Sequence, residues 1–558
     1  MVLQMSSNKE KIIRFYVGEL PLIKNIIERL GLREIFTKYI KPHKNEKIPA
    51  VDSLMILLFN ITCGRQPLYE LEEWVEHINP KIFGYNSFKK GVINDDRFGK
   101  ALYKLYLADR ATMMTEIVIS MVKLTNLDLS QIHNDSTTIK AYGKIPGRTR
   151  TGLKLEYGHS KDHRPDLKQI VYNLTISADG AVPIHYKTYE GSRTDDTTHI
   201  ETWNTLCKIA GNTSFLYVAD SKVCTRKQLS HIVGHGGRVV TIIPETWAEV
   251  GAFKNELRRK KKRRIIIWRR VIPEHSDQIE YFSCYKGDHR TVKDNYKIHW
   301  IFSSKKKKRD QADREKVLKK TEYDLADLSG KLNTRKLKTK KDILNKVNGI
   351  LDERGVKDYF HVTLTEIREE YKKQIGFGRP GRETKFRTVS KRIYSISYTR
   401  NRKTLKEEKN VDGIFPLLST DPNLIAKEAL LAYKYQPRLE KRFTQFKSIH
   451  NAAPLFFKKI ERVEGIMFLF FIALILQGII EREVRCKMKD KNIIALPVYP
   501  ENRIAYHPTT AKIFDRFDGI SIYHLKQGRK IKMYKDELSE LQKEIINILG
   551  MSEKEYWL

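Results

Sequence analysis

Cysteine is scarce. Cys63, Cys207, Cys224, Cys284 and Cys486 are the five in 558 residues, odd in number, scattered and without a CxxC pair. That usage argues against a disulfide framework and against a zinc site, and it fits a reducing cytosol. The first residues, MVLQMSSNKEK, contain no apolar stretch of the kind a secretory signal needs, so a cytoplasmic protein is expected. There is no internal repeat. The longest continuous apolar run, Ile466 to Leu476, is closed off by Glu461, Arg462 and Glu464 on one side and Glu481 to Arg485 on the other. That is shorter than the roughly 20 residues of a membrane-spanning helix, so a buried core helix is expected, with no membrane partner. Acidic residues are also in short supply: 67 Asp and Glu against 104 Lys and Arg leave a net charge of +37. Such a chain repels itself unless a polyanion accompanies it. Nucleic acid is the partner this predicts, although an anionic membrane or a ribosome would attract the same charge. What is present in quantity is core material: 41% hydrophobic residues, with 27 Tyr and 23 Phe, enough for several folded domains.

Residues 1–125 read as an all-helical domain, with an apolar stripe at Leu22, Ile23, Ile26, Ile27 and Leu30 ending at Gly31. It suits DNA binding or dimerisation, Arg65 and Lys100 being possible contacts; the plain alternative is a bundle that packs on the rest of the chain. From Leu127 the period shortens to that of a strand, LDLSQIHNDSTTIK, whose polar end brings His133, Asn134, Asp135 and Ser136 toward a site. Asp135 before Ser-Thr-Thr is equally what an ordinary turn contains. A polar, basic segment with Lys161 and Arg164 leads to a hairpin around Asp179-Gly180 and a helix through Ile200, Trp203 and Leu206. Phe215 to Ala219 form a short apolar strand ending in Asp220, followed by a helix near Gln228 to Val233 and a strand at Arg238 to Ile243. This order is α/β, and ligand sites in such sheets gather at strand ends. Residues 126–244 are therefore the first part of a core, 245–411 a basic insertion, 412–490 the return of the core through DGIFPLLSTD, and 491–558 a small C-terminal region. The insertion carries RRKKKRR, with Arg258, Lys260 and Arg263, and KKKKR at Lys305 to Arg309, each beside strand-like aromatic runs. A helical hairpin through Leu318, Leu325, Leu328 and Ile343, Val347, Leu351 follows, then strands at Tyr359 to Thr365 and Arg392 to Tyr398.

The segment YKYQPRLEKRFTQFK places Tyr433, Gln436, Glu440 and Lys447 at intervals of three, four and seven residues, within about 60° of one another on a helix. A solvated helix face has the same pattern. Pro437 predicts a kink or a helix that starts there. The spacing, together with HNDST around Asp135, GHSKDHRPDLKQ, YVAD around Asp220 and LLST before the last helix, resembles bacterial insertion-sequence transposases with an Asp-Asp-Glu triad and a tyrosine-(2)-arginine-(3)-glutamate-(6)-lysine signature. The likeness is to their long members, which have a large insertion before the glutamate helix.

The resemblance implies a ribonuclease-H-like mixed sheet flanked by helices, interrupted by a basic β-rich and helical-hairpin insertion, and a DNA transposase working as a homodimer on paired element ends and target DNA. Asp135, Asp220 and Glu440 become the catalytic and metal-binding set, with Glu464, Glu461 and Asp421 in reserve for the third acid. Oxygen ligands suit Mg²⁺, with Mn²⁺ as a substitute, and such ions carry phosphodiester chemistry without a side-chain nucleophile. Double-stranded DNA would be held by Tyr433, Gln436, Arg438, Lys447, Lys161, Arg164, Arg258, Lys260 and Arg263. Gln436 replaces the family's arginine, leaving Arg438 or Arg442 to supply that phosphate contact, and Trp247, Trp268 or Trp300 could stack on a displaced base. Two other readings share the features: a non-catalytic protein occupying element ends, and a metal-dependent nuclease without strand transfer.

Overall fold

The structure is a computed structural model that describes residues 11–64, 66–141, 153–158, 166–193, 198–272, 275–334, 336–450, 452, 459–527 and 530–557. Arg65, Lys161 and Arg164 lie outside the described residues. The chain forms two compact units, Met1–Thr241 with Leu431–Leu558, and Ile242–Leu430.

The first unit contains a mixed sheet. Strand β1 (Lys11–Tyr16) stands apart from it, and β2 (Gln131–Lys140), β3 (Gln169–Ser177), β4 (Pro183–Glu190), β5 (Leu216–Ala219) and β6 (Arg238–Ile242) lie in the order β4-β3-β2-β5-β6. β3 is antiparallel to β2 and β4, while β2, β5 and β6 run parallel. The β3–β4 turn bends through Gly180 (φ 79°) and Ala181 (φ 56°); a Cβ on Gly180 would come within 2.8 Å of the Arg482 side chain, so glycine is required there on two counts. Helices His199–Ala210 and Arg226–Gly234 supply the crossovers that parallel strands need.

The N-terminal region is not all helical. KIIRFY forms β1, which pairs antiparallel with Ser521–Gln527, so the two ends of the chain share a three-stranded sheet. The pairing partner lies some 500 residues away in sequence, as the register Lys11↔Lys526 shows. Helices Leu20–Arg29, Ala50–Thr62 and Asp95–Leu107 pack on the helix Ile460–Asp490. That helix is longer than the apolar run alone suggests, at 31 residues, and an 18-residue window of it has mean hydropathy 2.4, long and apolar enough to cross a membrane by length and composition. Within the fold, 94% of that window is buried, which is what a helix apolar on every side requires of its protein surroundings.

In the second unit β7 (Arg264–Ile272), β8 (His275–Tyr285), β9 (His289–Arg290), β10 (Lys297–Ser303), β11 (Phe360–Gln374), β12 (Phe386–Arg400) and β13 (Ile414–Ser419) form antiparallel pairs. β13 falls within the second unit and pairs with β10 along its whole length, Lys297↔Ser419 to Phe302↔Ile414. Helices Ser304–Gly330 and Lys340–Glu353 close a small core of Leu318, Leu325, Leu328, Ile343, Val347 and Leu351. β11 and β12 are longer than their sequence pattern suggests: they pair from Phe360↔Arg400 to Gln374↔Phe386, and their distal half is exposed on both faces up to a fully exposed Phe377. Trp300 is buried and stacks on Phe253 with ring centroids 4.0 Å apart, which removes it as a platform for a base. Trp268 stacks on Phe282, and Trp247 stands half-buried before the helix Ala248–Arg259.

Candidate active site

The parallel pairing of β2 with β5 runs Gln131↔Leu216, Ile132↔Tyr217, His133↔Val218 and Asn134↔Ala219. The next residue on each strand is Asp135 and Asp220. The two aspartates therefore stand side by side where adjacent strands end their pairing, on backbones about 5 Å apart. Each is oriented by a backbone N–H: Ser136 N donates to Asp135 Oδ1 at 2.7 Å and Lys222 N to Asp220 Oδ1 at 3.0 Å. Thr241 Oγ1 donates to the Asp220 carbonyl at 2.7 Å, fixing the strand end from β6.

Glu440 arrives on the helix Pro437–Thr444, which begins at the proline as a first-turn proline permits. Three anchors set that helix against the sheet. Gln436 is buried; its Nε2 donates to the Asn134 carbonyl at 3.0 Å and its Oε1 meets His133 Nδ1 at 2.9 Å. Because the amide N–H is committed to Asn134, His133 Nδ1 is the donor of the pair, and His133 Nε2 accepts from Gln131 Nε2 at 2.8 Å. Arg442 is buried as well. It donates to the carbonyls of Ala181 and Gly180 at 2.9 and 3.3 Å and to Gln445 Oε1 at 2.8 Å, and it pairs with Glu481 at 3.0 Å. Phe446, in the π-helical turn Gln445–Ile449, stacks on Tyr172 of β3 with centroids 4.5 Å apart. Side chains alternate across a strand, so His133 and Asp135 share the sheet face on which this helix lies.

Tyr433 feels all three acids. Burial first, then the charges of Asp220, Asp135 and Glu440, push its phenol well above the usual range. Three acids from three elements thus act on one half-buried hydroxyl, which stays protonated at neutral pH and can donate. Glu440 itself is exposed. Among the described residues no three His, Cys, Asp or Glu side chains are gathered closely enough to ligate one ion; the two aspartates follow paired residues of adjacent strands, and Glu440 comes from the helix that lies on β2. The donor set is all oxygen, which suits a hard divalent ion that keeps several waters and takes one or two carboxylates with substrate phosphate.

Several expected DNA contacts occupy other roles. Gln436 faces the protein, since a neutral amide can satisfy both a carbonyl and a buried imidazole where a guanidinium would have no counter-charge. Arg442 is consumed by internal acceptors, and Arg258 pairs with Glu408 at 2.6 Å within the second unit. Lys260 and Arg263 are exposed; Arg438 and Lys447 are half-buried. Of the reserve acids, Glu464 pairs with Arg110 at 2.7 Å, and Asp421 lies in the second unit, where it accepts from Asn423 N at 2.9 Å. Glu461 is half-buried in the first turn of the long helix.

Two tests follow from these contacts. Burial pushes His133 from 6.5 down to about 4. Its neutral form is therefore the native one: the stabilisation is complete above pH 6.5 and is lost as pH falls through 6.5 toward 4, by about 3 kcal/mol in full. The Tm difference between the parent and His133→Gln should narrow over that window; a constant difference would contradict the burial of a neutral imidazole. Gln436→Arg, which restores the arginine of the resemblance, is expected to cost about 2–4 kcal/mol, because it buries a charge with no partner. An unchanged Tm with tighter DNA binding would show that the arginine escapes to a phosphate.

Residues 14–119 match a family described as Domain of unknown function (DUF4277). No curated protein matches the chain. Among solved structures, a match is the cryo-EM structure of a piggyBac transposase synaptic complex with hairpin DNA, at 9% identity and TM-score 0.34, covering 84% of this chain and 77% of that one. At that TM-score the case for this chain rests on its own residues. Of the two strand-like runs read as ending in Asp, the second stops before Asp220, whereas β2 runs on past Asp135 to Lys140. The anchoring by Arg442 had no sequence signal beyond an arginine three residues before a glutamine.

Proposed function

We propose that this protein is a DNA transposase that hydrolyses strands at the ends of an insertion sequence and joins the freed 3′-hydroxyls to target DNA, acting in the cytoplasm as a homodimer on paired ends. The observation that carries the proposal is that Asp135, midway along β2, and Asp220, just past the end of β5, each directly follow the last paired residues of these adjacent parallel strands, Asn134 and Ala219, with the Glu440 helix tied to the same sheet face. Three antiparallel strands extended on one side by two parallel ones support reading the sheet as ribonuclease-H-like.

Asp135, Asp220 and Glu440 would hold Mg²⁺ or Mn²⁺, which when bound neutralises phosphate charge and makes water or a 3′-hydroxyl a competent nucleophile. The chain's part is orientation. Backbone N–H groups of Ser136 and Lys222 fix the two aspartates, Arg442 and Gln436 fix the helix, and protonated Tyr433 donates to a phosphate oxygen beside the acids. Lys447 and Arg438 supply positive charge at the rim.

Incubation with a labelled duplex carrying the DNA that flanks the coding sequence, a supercoiled target and Mg²⁺ tests the proposal. Nicking at the element end and covalent joining to the target are expected, both abolished by chelator. Nicking without joining would leave a nuclease; binding without either would leave a non-catalytic end-binding protein.

A further inference from the structure

The first unit holds a second site, far in sequence from the acids. Between the sheet made by β1 with Ser521–Gln527 and the segment from Glu72 to Ile93 lies a cleft of about 450 Å³, within the size range of small-molecule sites. Its floor is apolar, with Val75, Ile78 and Ile93 buried. Flat rings line it: Phe15 packs edge-on against His524 with centroids 5.0 Å apart, and the half-buried Phe88 lines the same cleft. Cations come from both walls. Lys81, Lys89 and Lys90 belong to one and Lys526 to the other, all exposed. Burial, then the charges of Lys81 and Lys526, lower the basicity of His524, so positive potential converges inside the mouth. Glu72 and Glu76 also line the cleft; a Glu72 oxygen accepts from Gly91 N at 2.7 Å.

We infer that this cleft takes an unpaired nucleotide of a single DNA strand, its base against the Phe15, His524 and Phe88 rings and its flanking phosphates on Lys81 and Lys526. A slot that is apolar and aromatic inside and cationic at both lips matches a base with phosphates on either side. Every base has a face to stack, so the site is indifferent to sequence. An acidic peptide would satisfy the lysines but not the rings, and a paired duplex keeps its bases out of reach.

Neither Asp135, Asp220 nor Glu440 lines the cleft, so it is tested without divalent ion, where no strand is cut. Binding of a fluorescent oligodeoxythymidylate to the full chain is compared with binding of the same-length duplex, of free thymidine monophosphate and of a polyglutamate peptide. Lys81→Gln with Lys526→Gln is expected to weaken single-strand binding about tenfold and to reduce the slope of log affinity against log salt by about 1.4, the release from two phosphates. Duplex binding should be unchanged. Phe88→Ala is expected to weaken the single strand about tenfold. Because Phe88 also packs on Tyr85 at 4.8 Å, the surface lysine pair serves as the second variant. Unchanged single-strand affinity and slope in the lysine variant would overturn the inference. So would monophosphate binding as tight as the oligonucleotide, or capture of polyglutamate in its place.

Discussion

Asp220→Asn is expected to lower strand cleavage about 10³-fold or more and to leave duplex affinity and Tm close to those of the parent. Asparagine keeps the oxygen that accepts from Lys222 N, and its backbone carbonyl keeps the Thr241 contact, so the strand end holds its shape. What disappears is the negative charge, and with it one ligand of the proposed ion that would offset phosphate charge, several kcal/mol of transition-state stabilisation at about 1.4 kcal/mol per decade. Asp135→Asn should behave alike and the double variant should be little worse than either, because groups acting on one ion are not additive. Steady-state cleavage with binding measured in parallel checks this. Substantial residual cutting in either single variant would separate the two aspartates functionally.

The second large effect is on stability. Arg442→Met is expected to destabilise the first unit by about 3 kcal/mol, seen as a lower calorimetric Tm, and to reduce cleavage through displacement of the Glu440 helix. The loss leaves the Gly180 and Ala181 carbonyls and Gln445 without their donor, a cost of roughly 1–3 kcal/mol for an unmet buried group, and it breaks a buried ion pair. Glu481 is not stranded, since Thr510 N and Arg485 also reach it, at 3.0 and 3.4 Å; this holds the expected cost at the low end for a broken buried pair. A Tm equal to the parent's would mean that the packing of Leu439 and Phe446 alone seats the helix.

How much of this was legible in the sequence depended on whether a residue's role is local. FLYVA followed by Asp220 reads as a buried strand because five apolar residues in a row have nowhere else to go, and Pro437 announces a helix start through its own ring. Gln436 is different: its role is set by His133, a partner some three hundred positions away, and a glutamine on a charged helix carries no mark of burial. The strand at Lys11–Tyr16 was missed for the same reason, its partner being at the other end of the chain. Ile414–Ser419 reads as a buried strand by composition, but its partner β10, more than a hundred residues earlier, leaves no mark in its own sequence. The reach of β11 and β12 was invisible because their distal residues face solvent on both sides, so no burial rhythm is imposed on the sequence.

Asp135, Asp220 and Glu440 are proposed to act as one set, and Glu440 is the exposed member of the three. Cleavage of a labelled duplex carrying the element end, with Mg²⁺, should therefore be measured for Glu440→Gln beside Asp135→Asn. Both variants are expected to lose cutting while both keep duplex binding. Normal cutting by Glu440→Gln with loss in Asp135→Asn would contradict this, and would move the third carboxylate to Glu461.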